Sequence, residues 1–130
     1  LIGYVADTHA LFWYLTASPL LGTQAKHAFV DASEGRAIIY VSAIVVAELF
    51  FLNEKAGGPL DFAAEYRRLM GTAQLVFVDL RADDVLDFGT DGLVPEMHDR
   101  IIVGVARRLG ATCLSRDLAI AGSGLVATIW

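Results

Sequence analysis

Four carboxylates in this chain stand where a carboxylate adds nothing to a hydrophobic core. Asp7 closes the apolar run Ile2-Gly3-Tyr4-Val5-Ala6, and Glu48 interrupts Ala43-Ile44-Val45-Val46-Ala47 before Leu49-Phe50-Phe51-Leu52. Asp99 opens the run Ile101-Ile102-Val103, and Asp117 follows Thr112-Cys113-Leu114-Ser115. An ionised carboxylate against a core is costly unless something compensates it. Two of them about 4 Å apart repel by roughly 4 kcal/mol at an effective dielectric near 20. A group of four therefore either keeps protons or binds a cation. Oxygen ligands without nearby Cys–His pairs favour Mg²⁺ or Mn²⁺ over Zn²⁺. Such an ion keeps several waters and shares its shell with substrate phosphate, which is the chemistry of metal-assisted phosphodiester hydrolysis.

Taken singly, three of the acids have ordinary explanations. Asp7 is placed to N-cap a helix beginning at Thr8, and Asp117 to cap the short helix after it. Asp99 is a first-turn acid, which the helix dipole favours. Glu48 has no capping role and sits among apolar residues. The conjunction is what points to a shared site.

The elements that must position these acids follow from periodicity. Ile2–Ala6, Ala37–Val41, Gln74–Val78 and Thr112–Ser115 read as strands, with Val126–Ile129 as a last one. Helices are predicted over Thr8–Thr16, Thr23–Glu34, Ser42 to about Lys55, Leu60–Met70, Arg81–Phe88, Met97–Leu109 and Leu118–Ala121. In the second of these, Ala25, Ala28, Phe29 and Ala32 share one face; in Met97–Leu109 the inward set is Ile101, Ile102, Val105 and Leu109. Ser42 is a good N-cap, and Gly35 and Gly110 are stop signals. Strands alternating with helices predict an α/β domain with a mostly parallel sheet. Asp7 and Asp117 then follow the C-terminal ends of two strands, where open parallel sheets collect ligands.

The bulk properties set limits. A chain of 130 residues is one domain, 1–130, with no internal repeat or linker. The net charge of −5 argues against a generic nucleic-acid coating protein and leaves room for an acidic site that a metal neutralises. The lone Cys113 rules out an intrachain disulfide and fits a reducing cytoplasm. Hydrophobic residues make up 55% of the chain and mean hydropathy is +0.53, so a membrane span has to be tested. The strongest apolar stretch, Ala37 to Leu52, is 16 residues long and holds Ser42 and Glu48. It is too short for a bilayer. No membrane association is expected; a buried sheet and apolar surface reserved for a partner account for the composition.

At these same residues the chain resembles the PIN-domain ribonucleases, specifically the VapC-type toxins of type II toxin–antitoxin pairs. Val5-Ala6-Asp7-Thr8-His9-Ala10-Leu11 is similar to the family's opening strand and first acid. Ser42 with Val46-Ala47-Glu48-Leu49 resembles the second-acid helix, and His98-Asp99-Arg100-Ile101-Ile102 with Ala106 the third. Leu114-Ser115-Arg116-Asp117 resembles the fourth-acid segment, with Ser115 where threonine is more usual. The ending Ser123-Gly124-Leu125-Val126 to Trp130 matches one branch of that group. The resemblance spans essentially the whole chain, in order. It implies a three-layer α/β/α sandwich, Mg²⁺- or Mn²⁺-dependent endoribonuclease activity on RNA, a cognate antitoxin and a homodimer.

Carried over residue by residue, Asp7, Glu48, Asp99 and Asp117 hold the metal and position the attacking water. Thr8 and Ser115 donate hydrogen bonds that orient the carboxylates. His98 is a candidate phosphate contact, with packing at a helix start as the default, and His9 is expected to point away. Arg100, Arg107, Arg108 and Arg116 are candidates for a phosphate track, with Arg107-Arg108 structural by default at a helix C-terminus. Trp13, Tyr14, Phe50 and Phe51 are candidates for base stacking, but core or interface packing is the simpler role.

Three other readings compete. A non-catalytic PIN-like binding module acting through complex formation keeps the fold, but it has no need of four intact acids. The haloacid-dehalogenase type wants a second Asp two residues after the first, where this chain has His9. A response-regulator receiver wants a Lys beside the acids, and neither Lys26 nor Lys55 falls in the expected place.

Overall fold

The computed structural model describes residues 1–130. Five strands form one sheet: β1 (Ile2–Ala6), β2 (Ala37–Ser42), β3 (Leu75–Val78), β4 (Thr112–Leu114) and β5 (Thr128–Ile129). Their order is β3-β2-β1-β4-β5, and every pair is parallel. Six α-helices connect them: α1 (Thr8–Leu15), α2 (Thr23–Ser33), α3 (Ala43–Lys55), α4 (Phe62–Met70), α5 (Met97–Leu109) and α6 (Leu118–Ala121). A 3-10 helix spans Ala82–Gly89. The connections from β1 to β3 step one way across the sheet, and those from β3 to β5 step back the other way. Right-handed crossovers then place the two sets of helices on opposite faces, giving the three-layer α/β/α architecture. No helix is long and apolar enough to cross a membrane.

The β-branched runs form the strands because both faces of the sheet are covered. Val5 and Ala6 of β1, Val41 of β2, and Cys113 and Leu114 of β4 have no exposed surface. The expected face of α2 is buried as a set, Ala25, Ala28, Phe29 and Ala32. In α5 the buried residues run without a break from Ile101 to Ala106, because α5 packs on β1, β2 and β4 and is covered outside by the 3-10 helix. Leu109, expected inward, is 45% exposed: it lies in the last turn, beyond the sheet. Gly110 ends the helix at φ 60°, a left-handed conformation that glycine adopts without strain.

Other departures from the sequence reading are local. The segment Arg81–Phe88 is a 3-10 helix starting one residue later. None of its residues is fully buried, and Asp84 accepts from the Arg81 N–H at 3.0 Å, closing its first turn. Helix α4 begins at Phe62 rather than Leu60. The buried Asn53 amide clasps both the N–H and the carbonyl of Leu60, at 3.0 and 2.9 Å, and Asp61 takes the N-cap. The last strand is trimmed to Thr128–Ile129.

Behind α5, Asp91 is wholly buried and bonded bidentately by Arg107, while Arg108 reaches Asp87 and Asp84. These pairs fasten the 3-10 segment to α5 and settle Arg107 and Arg108 in structural roles. Leaving a buried charge unpaired is expensive. Arg107→Met is expected to lower unfolding free energy by about 3 kcal/mol, read by urea denaturation. The double variant Asp91→Leu/Arg107→Met is expected to lose less than the single one.

Candidate active site

The sheet order reverses between β1 and β4, and the C-terminal ends of these two strands open onto a crevice. The Asp7 N–H donates to the Leu114 carbonyl at 3.2 Å, tying the first acid to the end of β4. A cavity of about 630 Å³ occupies the crevice, and Asp7, Glu48, Asp99 and Asp117 all line it. Residues far apart in the chain thus meet at one place.

Each acid is held by its own element. Asp7 N-caps α1, with Oδ1 accepting from the Ala10 N–H at 2.8 Å. Asp117 N-caps α6, with Oδ1 accepting from Ala119 and Ile120 at 2.8 and 3.1 Å. Glu48 enters from the second turn of α3, a helix started by Ser42, whose hydroxyl accepts from Ile44 at 3.3 Å. Asp99 stands in the first turn of α5. The capping roles and the cavity-lining roles therefore coexist, and each cap bond uses Oδ1.

Neighbouring groups orient the carboxylates. The buried Thr8 hydroxyl donates to Glu48 Oε1 at 2.9 Å, as expected of an orienting residue. Ser115 is buried, accepts from the Asp117 N–H at 3.1 Å, and its hydroxyl also favours the ionised form of Asp7. His98 Nδ1 lies 3.1 Å from Glu48 Oε2, so His98 packs against an acid of the site. His9 does not point away; it lines the cavity with its ring 5.1 Å from that of Trp13. Arg100 is no part of a phosphate track, because it donates to the Val94 and Phe88 carbonyls.

The electrostatics record the crowding. Burial pushes the Asp7 carboxyl up, against the hydrogen bonds from Ser115 and Ala10 that favour its charge. Asp99 is pushed up to about 6, first by burial and then by the charges of Asp117, Glu48 and Asp7. Cys113, behind the acids, is raised to about 12 by burial. No three His, Cys, Asp or Glu side chains form a ready-made ligand set. The acids line one crevice but stand apart within it. An all-oxygen donor set of spaced carboxylates fits a hard dication held by one or two of them and by water.

No family model matches the chain, and no curated protein is similar to it in sequence. Solved structures are similar in fold. VapBC2 from Rickettsia felis, bound to a promoter DNA fragment, superposes with a TM-score of 0.70 at 17% identity over 98% of both chains. VapC20 from Mycobacterium tuberculosis, a sarcin-ricin loop cleaving toxin, gives 0.70 at 17% identity over 95% of this chain and 96% of its own. FitAcB from Neisseria gonorrhoeae gives 0.62 at 18% identity over 98% and 96%. The chain has the VapC-type PIN fold. That fold supplies the parallel sheet and the crevice between β1 and β4 on which the four acids are mounted.

The raised Asp99 carboxyl has a pH consequence. Its folded-state pKa lies above the ordinary carboxyl value, so the unfolded chain releases this proton at lower pH than the folded one. Asp99 therefore costs stability as pH rises from about 4 through 6. In the absence of divalent metal, Asp99→Asn is expected to raise the thermal midpoint at pH 7.5 and to bring little gain at pH 4. A gain that does not shrink as pH falls would contradict the assignment.

Proposed function

We propose that this PIN-fold chain is a metal-dependent endoribonuclease, the toxin of a toxin–antitoxin pair acting in the cytoplasm. The observation that carries the reading is the meeting of Asp7, Glu48, Asp99 and Asp117 in one cavity, with the other three acids raising Asp99. The likeness of the fold to VapC structures supports it, one of them a toxin that cleaves the sarcin-ricin loop. Asp7, Glu48, Asp99 and Asp117 would supply the carboxylate oxygens for a Mg²⁺ or Mn²⁺ ion, one or two of them binding it directly and the others through water. Such an ion lowers the pKa of a bound water and offsets charge on the reacting phosphate.

The chain's own residues do the rest. Thr8 and His98 fix the direction of Glu48. The cap bonds to the first turns of α1 and α6 hold Asp7 and Asp117 at the wall of the crevice. Asp99 has no hydrogen-bond partner in the protein, and burial with the neighbouring acids pushes its carboxyl up to about 6, so a cation in the crevice would relieve it. The antitoxin and a second subunit are the partners this reading requires. Phe51, 67% exposed, and Leu118, 87% exposed, are apolar groups near the cavity that a protein partner would cover.

Asp7→Asn and Asp99→Asn are each expected to reduce metal-dependent cleavage of RNA to background while the protein stays folded. Cleavage at the parent rate by both variants would remove the assigned site and favour a non-catalytic binding module. Expression of the chain alone is expected to arrest growth of the host, and expression of Asp7→Asn is not. Harmless overexpression of a cleavage-competent protein would contradict the toxin role.

A further inference from the structure

We propose that Arg116 is the residue that binds a substrate phosphate next to the scissile one, and that Trp13 and Trp130 position it. The proposal rests on the endoribonuclease reading and names a contact that the four acids do not supply. An acidic chain that takes a polyanion needs a fixed local cation. Four arginines stand near the acids in sequence, and the structure separates them. Arg100 is spent on two backbone carbonyls, Arg107 on Asp91, and Arg108 on Asp87 and Asp84. Of the four, Arg116 alone lines the cavity, and its guanidinium meets aromatic rings rather than a carboxylate.

Aromatic rings hold it there. The Arg116 guanidinium carbon lies 4.5 Å from the ring centre of Trp13 and 5.8 Å from that of Trp130. Stacking on an aromatic face keeps the charge and leaves the N–H edge of the fork free, the edge that recognises phosphate bidentately. Trp130 meets Trp13 edge-on at 5.7 Å and is itself seated by α2, where the Gln24 N–H donates to its carbonyl at 3.3 Å. Gly22 makes that seat. A Cβ there would come within 2.4 Å of the Trp130 carbonyl carbon and 2.5 Å of its ring, so a side chain at position 22 would unseat the tryptophan. Lys55 also lines the cavity without a carboxylate partner, but no ring holds it.

The test is direct binding, measured by fluorescence anisotropy of a labelled single-stranded oligoribonucleotide at several salt concentrations. All proteins carry Asp99→Asn, which is expected to abolish cleavage, and the buffer contains Mg²⁺, so the strand stays whole while a dication remains available to the crevice. Arg116→Ala is expected to weaken binding about tenfold, as loss of a charge-assisted contact does. It is also expected to lower the slope of log affinity against log salt by about 0.7. Arg36→Ala, which removes the same charge at the other end of β2, is expected to do neither. Trp130→Ala is expected to weaken binding when Arg116 is present and to have no effect in the Arg116→Ala background. An Arg116→Ala protein that binds like Arg36→Ala would overturn the proposal and leave the nuclease reading intact. Equal effects of Trp130→Ala in both backgrounds would overturn the positioning role. A parent that does not bind the strand at all would remove the nuclease reading and this proposal together.

Discussion

Mutual repulsion among carboxylates in a partly desolvated crevice is the constraint around which this molecule is arranged. Burial disfavours the charge on Asp7 and on Asp99, and all four acids are fastened on one crevice. The fastening is done with hydrogen bonds that favour the charged form: backbone N–H groups at the starts of α1 and α6, and the Thr8 hydroxyl on Glu48. Asp99 receives none of these and responds by holding its proton to higher pH. A protein gains nothing in stability from such a cluster. The arrangement makes physical sense when a dication completes it, because the charge that crowds the crevice is the charge that binds the ion.

The sheet topology makes the gathering possible at low cost. Because the strand order reverses between β1 and β4, the loops leaving these neighbouring strands diverge to opposite faces and leave a gap at their C-terminal edge. Asp7 and Asp117 are the first acids after those strands. Glu48 and Asp99 arrive on α3 and α5, which pack against each other across the gap. No insertion or lid is needed. Four short elements, each ended or started by an ordinary cap, carry their acids to one place.

Much of this was legible in the sequence, for reasons that differ by element. The first strand, helix α3 and helix α5 announce their ends with residues of strong local preference: Ser42 as a cap, Gly110 in the left-handed conformation, and β-branched runs in the sheet. The acids were legible because each breaks an apolar pattern, and the capping explanation for Asp7 and Asp117 proved true without excluding the site, as did the first-turn placement of Asp99. What could not be read were contacts made only by folding. Nothing local links His98 to Glu48, Asp91 to Arg107, or Arg116 to Trp13 and Trp130. His9 is exposed, and what periodicity alone did not show is that its ring lies beside Trp13 one turn on, at the rim of the cavity. Leu109 kept the helical period but ran past the sheet it was expected to cover.

Charge balance ties these features together. The chain is acidic overall, and its cavity is more so, yet the cavity wall also carries Arg116 and Lys55 free of carboxylate partners. A cation at the centre and cations on the wall would turn an acidic crevice into one that accepts a polyanion. The measurement that bears most directly on this is anomalous scattering from crystals soaked in Mn²⁺. The account expects a peak inside the crevice with oxygens of at least two of Asp7, Glu48, Asp99 and Asp117 at bonding distance. A soaked crystal with the crevice free of anomalous signal, or with manganese only at acids elsewhere on the surface, would contradict it.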